Sequence, residues 1–219
     1  MPVYRSFSFL LCLIFLLLPA CVRQNSKAID TEVLRHGHLV APKGDVNIAP
    51  VVYINVRDNT NHRASTLHEK TEASLSNLGY TVVDNPSEAG HILQIVVLAA
   101  GETSLENARS VVANGYGALS SLTGSGGTAI VADVLLVQRQ VPSSKHASRL
   151  KLKNISRRNA VANSQMRIVL LAHKEVNLEE GVTSYMMETL ARELAISLHN
   201  ANTETSQQKN HTIETGASP

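Results

Sequence analysis

The sequence predicts an α+β domain: a β-α-β-β unit, then further strands and a C-terminal amphipathic helix, with the helices packed on a small mixed sheet. Three observations predict it. Residues 48–56 alternate in the strand manner, residues 63–78 repeat apolar positions near the helical period, and residues 92–98 form a nearly unbroken apolar run. Aromatic residues make up only 4% of the chain and tryptophan is absent, so the core must be built from Val, Ile, Leu and Ala.

In the first strand Val52, Ile54 and Val56 share one face, while Tyr53, Asn55 and Arg57 share the other. The run 58–61 ends it with turn-forming side chains. The helix that follows carries Ala64, Leu67, Thr71, Leu75 and Leu78 on one stripe, and Gly79 stands where a C′ glycine closes a helix. Residues 80–83 read as a short strand, and 85–88 as a turn around Pro86. After the apolar run, Leu105, Ala108, Val111 and Val112 place a helix within 101–113. The stretch 114–127 holds too many glycines and small residues for a regular element. Strands are then predicted at 129–137 and 165–171, and a helix at 182–199 with a stripe through Val182, Met186, Leu190, Leu194 and Leu198.

The amino terminus has a different character. Arg5 precedes an apolar run over 7–18 that has the length of a signal-peptide core and is too short to span a bilayer. The run ends in Leu18-Pro19-Ala20-Cys21, which resembles the lipobox of bacterial lipoproteins, where the cysteine is acylated, with palmitate among the chains, and becomes the new amino terminus. An ordinary secretory signal cut near Ala20 is the alternative. Cysteine usage favours acylation: the chain has 2 cysteines and Cys12 lies within the leader, so Cys21 would otherwise be a lone thiol in an oxidising compartment. Val22 stands where Asp resembles an inner-membrane retention signal, which favours the outer membrane. The expected organisation is a signal peptide at 1–20, a lipidated tether at 21–46, one α+β domain at 47–199, and a polar, disordered tail at 200–219.

Chemistry is sparse. The glycine stretch lacks the Lys of a phosphate-binding loop, and Gly127 leads into a β-branched run instead of a helix. The 9 histidines offer His36 with His38 and His62 near His68, yet neither pair is completed by a cysteine or clustered carboxylates, so no metal site is expected. No nucleophile elbow or Cys/His pair occurs in the mature region, and Glu69, Glu72, Glu179 and Glu180 fall on expected solvent faces. We therefore expect no enzyme and no cofactor beyond the covalent lipid on Cys21. A formal net charge of +2 gives no reason to expect nucleic acid as a partner. The one directional charge feature is a loop in which Lys145, His146, Arg149, Lys151, Lys153, Arg157 and Arg158 occur without an acid between them. Lys145, Arg149, Lys151, Lys153, Arg157 and Arg158 are candidates for contact with lipid phosphates, at about 1 kcal/mol each near an anionic surface; a solvated loop is the alternative.

A family resemblance enters at the β-α-β-β unit. Val52-Tyr53-Ile54-Asn55-Val56, Asn59-Thr60, Gly79-Tyr80-Thr81-Val82-Val83, Pro86, Glu88, Ala89 and the strand from Ile92 to Leu98 resemble the TraT family of outer-membrane lipoproteins. Gly115-Tyr116, the strand 128–138 with Asp133, and 177–198 are similar to its later segments. The resemblance implies conjugal surface exclusion or complement resistance exercised without catalysis, attachment to the outer membrane through the lipid anchor, a homo-oligomer, and contact with other envelope proteins. Where the family carries a long Gly- and Ala-rich apolar stretch, this chain has only 117–127, with Leu119 and Leu122 as its main apolar residues. The rival reading is an accessory lipoprotein of an envelope machine, for secretion or for lipid or lipopolysaccharide transport.

Overall fold

The computed structural model describes residues 29–40, 42, 48–60, 62, 64–140, 160–178 and 181–214, with side chains up to 203. Six strands form one mixed sheet: β1 (Thr31–Gly37), β2 (Val51–Asp58), β3 (Thr81–Val82), β4 (His91–Thr103), β5 (Gly127–Arg139) and β6 (Ala160–Ala172). Three helices accompany them, α1 (Leu67–Asn77), α2 (Leu105–Ala113) and α3 (Ser184–Glu214). Strand order is β1-β6-β5-β4-β2-β3; β2 runs parallel to β3 and β4, and all other pairs are antiparallel. This is the expected α+β architecture.

The parallel unit follows from its connections. After β2, the amphipathic helix α1 covers one sheet face with Leu67, Thr71 and Leu75 buried, and Gly79, at φ 86°, turns the chain back into β3. The principal core lies between that face and the two helices α1 and α3: Val52 and Ile54, Leu93 and Ile95, Ile130 to Leu136 at alternate positions, and Met166, Ile168 and Leu170 meet Met186, Leu190, Leu194 and Leu198. Among the described residues the opposite face is covered only in part. There α2 lays Ala108 and Val111 on Ala129, Val131, Val169 and Leu171, and a separate small cluster gathers Ala89, Ile92 and Val137.

Four boundaries differ from expectation, each for a physical reason. The stretch read as tether contains β1, whose apolar residues Val33 and Leu34 are adjacent and pack on opposite faces, so an edge strand showed no period. Gly101 to Thr103 belong to β4, not to a helix, because Ser104 is the N-cap of α2: it is extended (φ −88°, ψ 158°) and its side chain accepts from the Asn107 amide. Only the apolar half of β6 was anticipated; its first half is largely exposed. The tail read as disordered continues α3 to Glu214, with Ala201 buried one turn beyond Leu198 and no proline or glycine before Gly216 to stop the helix. The expected signal peptide at 1–20 lies outside the described residues.

Candidate functional site

The partly covered face carries an extended polar network among the described residues. Asp133 and Arg167 sit directly opposite each other on β5 and β6. Arg167 is 0% exposed, and its Nε and Nη2 donate to the two oxygens of Asp133 at 2.7 and 3.0 Å. The remaining donors reach out of the sheet: Nη1 donates to the Val111 carbonyl at 3.2 Å and Nη2 to the Ala118 carbonyl at 2.8 Å. Asp133 Oδ2 also accepts from the Gly117 amide at 2.8 Å. A buried ion pair is tolerated only when its leftover hydrogen-bonding groups are satisfied, and here the end of α2 and the start of the glycine-rich loop satisfy them. The pair thereby pins that loop to the sheet. Burial, followed by the Asp133 charge, pushes the Tyr116 phenol above its ordinary range. The loop then turns Leu119 outward, 96% exposed, and returns Leu122 to the second cluster.

Beside this loop, β4 outlasts β2: Asp58 lies opposite Val97, and no described strand flanks β4 beyond that point on the β2 side. The space left is an open cleft of about 360 Å³ bounded by Asn59, Thr60, His62, Ala99 to Glu102, and Ser120 to Leu122. Ser120 Oγ is buried there without a partner, and His62 Nδ1 lies 3.0 Å from the Leu178 carbonyl.

A second polar network lies under α3. Asn202 Nδ2 donates to the Tyr80 hydroxyl at 2.6 Å, while Asn202 Oδ1 accepts from Gln138 Nε2 at 3.0 Å and lies 3.2 Å from His91 Nε2. Tyr80 presents its ring edgewise to both His91 and His199. His91 Nδ1 is near the backbone of Ala49 and Val51 without a hydrogen bond of normal geometry. Burial holds the His91 imidazole below its ordinary pKa, partly offset by the Asn202 contact. A histidine depressed in the fold is neutral there while the unfolded chain, near the ordinary value of 6.5, takes up a proton. Stability is therefore expected to fall as pH drops through that value and to level off below the folded pKa. Urea midpoints measured between about pH 7.5 and 5 check this; an undiminished slope in His91→Phe would assign the effect elsewhere.

The candidate residues named from sequence are not brought together here. Cys21 and the basic set Lys145, Arg149, Lys151, Lys153, Arg157 and Arg158 lie outside the described residues. His36 is in β1 and His38 follows it, whereas His68 is in α1 with Nδ1 4.0 Å from Glu72. His62 precedes α1 and does not share a helix with His68. Among the described residues no group of three or more His, Cys, Asp or Glu could hold a metal, and no helix is long and apolar enough to cross a membrane. Sequence reasoning gave Asp133 and Arg167 no role. Their signal was legible: Asp133 is the lone charge in the apolar run 129–137, and Arg167 is the lone charge in β6.

Comparison with known proteins decides the family. The model of the enterobacterial TraT complement resistance protein matches residues 46–212, from just before β2 to near the end of α3. The chain belongs to the TraT family. TraT proteins are outer-membrane lipoproteins that act in the envelope without catalysis, and membership supports an envelope role in complement resistance or surface exclusion. The match spans the pinned loop, the cleft and the Asn202 network alike, so all three are parts of the TraT domain. No curated protein matches in sequence. Among solved structures, a PelC variant dodecamer from Paraburkholderia phytofirmans is similar at 11% identity and TM-score 0.39, covering 79% of this chain and 98% of that one. A DUF4136 family protein from Bacteroides thetaiotaomicron is similar at 6% identity and TM-score 0.39, covering 78% of this chain and 97% of that one.

Proposed function

We propose that this TraT-family chain is a lipid-anchored outer-membrane protein that acts by occupying the cell surface, where a self-associated layer blocks mating-pair contact or the attachment of complement components. Family membership over 46–212 carries the reading. The sequence Leu18-Pro19-Ala20-Cys21 supports the anchor. Each buried acyl CH₂ contributes about 0.8 kcal/mol, so two or more chains on Cys21 hold a domain stably where one does not. The basic segment containing Lys145, Arg149, Lys151, Lys153, Arg157 and Arg158 would add attraction to lipid phosphates.

Two measurements test it. Cys21→Ser is expected to shift the protein from the membrane to the soluble envelope fraction; continued membrane association of that variant would show that another segment anchors the chain. Protease treatment of intact cells is expected to cleave the domain. Complete protection until the outer membrane is permeabilised would replace surface blocking with a periplasm-facing accessory role.

A further inference from the structure

Open sheet edges expose a row of N–H and C=O groups that pairs readily with another chain, and proteins commonly shorten, charge or cover such edges. Among the described residues both edges of this sheet are open. β1 is terminal in the strand order, so its outer side has no strand beside it among the described residues. At the other end β3 covers β2 only at Val51 and Val52, leaving Tyr53 to Asp58 without a strand on that side among the described residues. The free runs are of matching length, because β1 ends at Gly37, where φ is 78° and the chain turns away.

The geometry points to a direct pairing of these edges between two copies of the chain, β1 of one onto β2 of the next. Direction permits it. β1 is antiparallel to β6, β6 to β5 and β5 to β4, whereas β4 is parallel to β2, so the two edges meet as an antiparallel pair in one continuous sheet. Hydrogen-bond phase also agrees. The Val83 amide donates to the Val52 carbonyl, so Val52 faces outward and, by alternation, Ile54 and Val56 do too. The His173 amide donates to the Asp30 carbonyl, so Asp30 faces β6 and Thr31, Val33 and Arg35 turn outward.

Register follows from length. Thr31 to His36 laid against Asp58 to Tyr53 pairs Val33 with Val56 and Arg35 with Ile54 through the outward groups, and Gly37 leaves the strand where β3 of the neighbour begins. On the opposite sheet face the same register sets Glu32 opposite Arg57, Leu34 opposite Asn55, and His36 opposite Tyr53. Opposite charges directly across an antiparallel pair are favourable and like charges are not. Isologous β1-to-β1 pairing would leave the β2 edge open; the head-to-tail contact uses both edges and repeats from copy to copy, ending in a ring where the rotation between copies closes.

This contact deepens the self-association within the proposed function and is tested apart from it. Full-length chains carrying Leu34→Cys or Asn55→Cys are produced separately and together, then oxidised in membranes alongside the parent chain, which reports any background from its native cysteines. Covalent dimers are expected only when both variants are present. Dimers from Leu34→Cys alone, beyond the parent background, would mean isologous pairing and would overturn the proposal, as would no cross-link in the mixture. Because Leu34 is half-buried, a second pair guards against misfolding: Glu32→Arg should lose the oligomer on native gels, and adding Arg57→Glu should restore it. An oligomer unaffected by Glu32→Arg also overturns the contact. Fractionation of the same samples keeps the readings distinct, since membrane-bound chains that fail both tests remove this contact and leave the anchored role standing.

Discussion

Arg167→Met is expected to cost about 3–5 kcal/mol of folding stability, because it removes one partner of a buried pair and strands the other charge. Asp133 would keep only the Gly117 amide as a described hydrogen-bond donor, and the carbonyls of Val111 and Ala118 would lose theirs. Two readouts separate a local from a global effect. Urea denaturation should show a large drop in midpoint, and limited proteolysis should show earlier cleavage within 115–122, the segment that the guanidinium holds. The double variant Asp133→Leu with Arg167→Met should recover part of the loss, since an apolar pair of similar volume removes the stranded charge, although the loop groups stay unpartnered. Arg167→Met within about 1 kcal/mol of the parent would mean that water reaches the pair and that the loop is held by other contacts.

The same residues show what was legible in the sequence. Alternation at 48–56 and a period near 3.6 at 63–78 placed β2 and α1, because Val52, Ile54, Leu67, Thr71 and Leu75 each occupy a face that the fold buries, while unbroken apolar runs marked the strands buried on both faces. Elements that pack each side chain differently left no such trace. Val33 and Leu34 are neighbours serving two separate clusters, and the first half of β6 lies where little covers the sheet. Pairing across long separations was equally silent: Asp133 and Arg167 each appear as a single charge in an apolar run, and only strand register makes them one feature. The fold could be read because periodicity is local. The pinned loop and the cleft beyond β2 could not, since they arise from where strands end relative to one another.

The polar C-terminal segment gives the sharpest case, and Asn202→Ala is expected to cost about 3 kcal/mol. Composition alone assigned 200 onward to a tail, yet Asn202 joins Tyr80, His91 and Gln138 from three separate parts of the sheet side. Its removal leaves three buried polar groups without their partner, and each such loss costs about 1–3 kcal/mol. The lower end applies, because Asn202 itself is half-buried and water can enter from its exposed side. Asn202→Asp should be milder near neutral pH, since a carboxylate still accepts from Gln138 and favours a protonated His91. That variant should also reduce or reverse the acid sensitivity attributed to His91, because a nearby negative charge raises the pKa that burial lowers. Chemical denaturation across pH distinguishes the two substitutions. If Asn202→Ala unfolds within about 0.5 kcal/mol of the parent, the network carries no net stability and packing through residues such as Leu198 and Ala201 holds the distal part of α3.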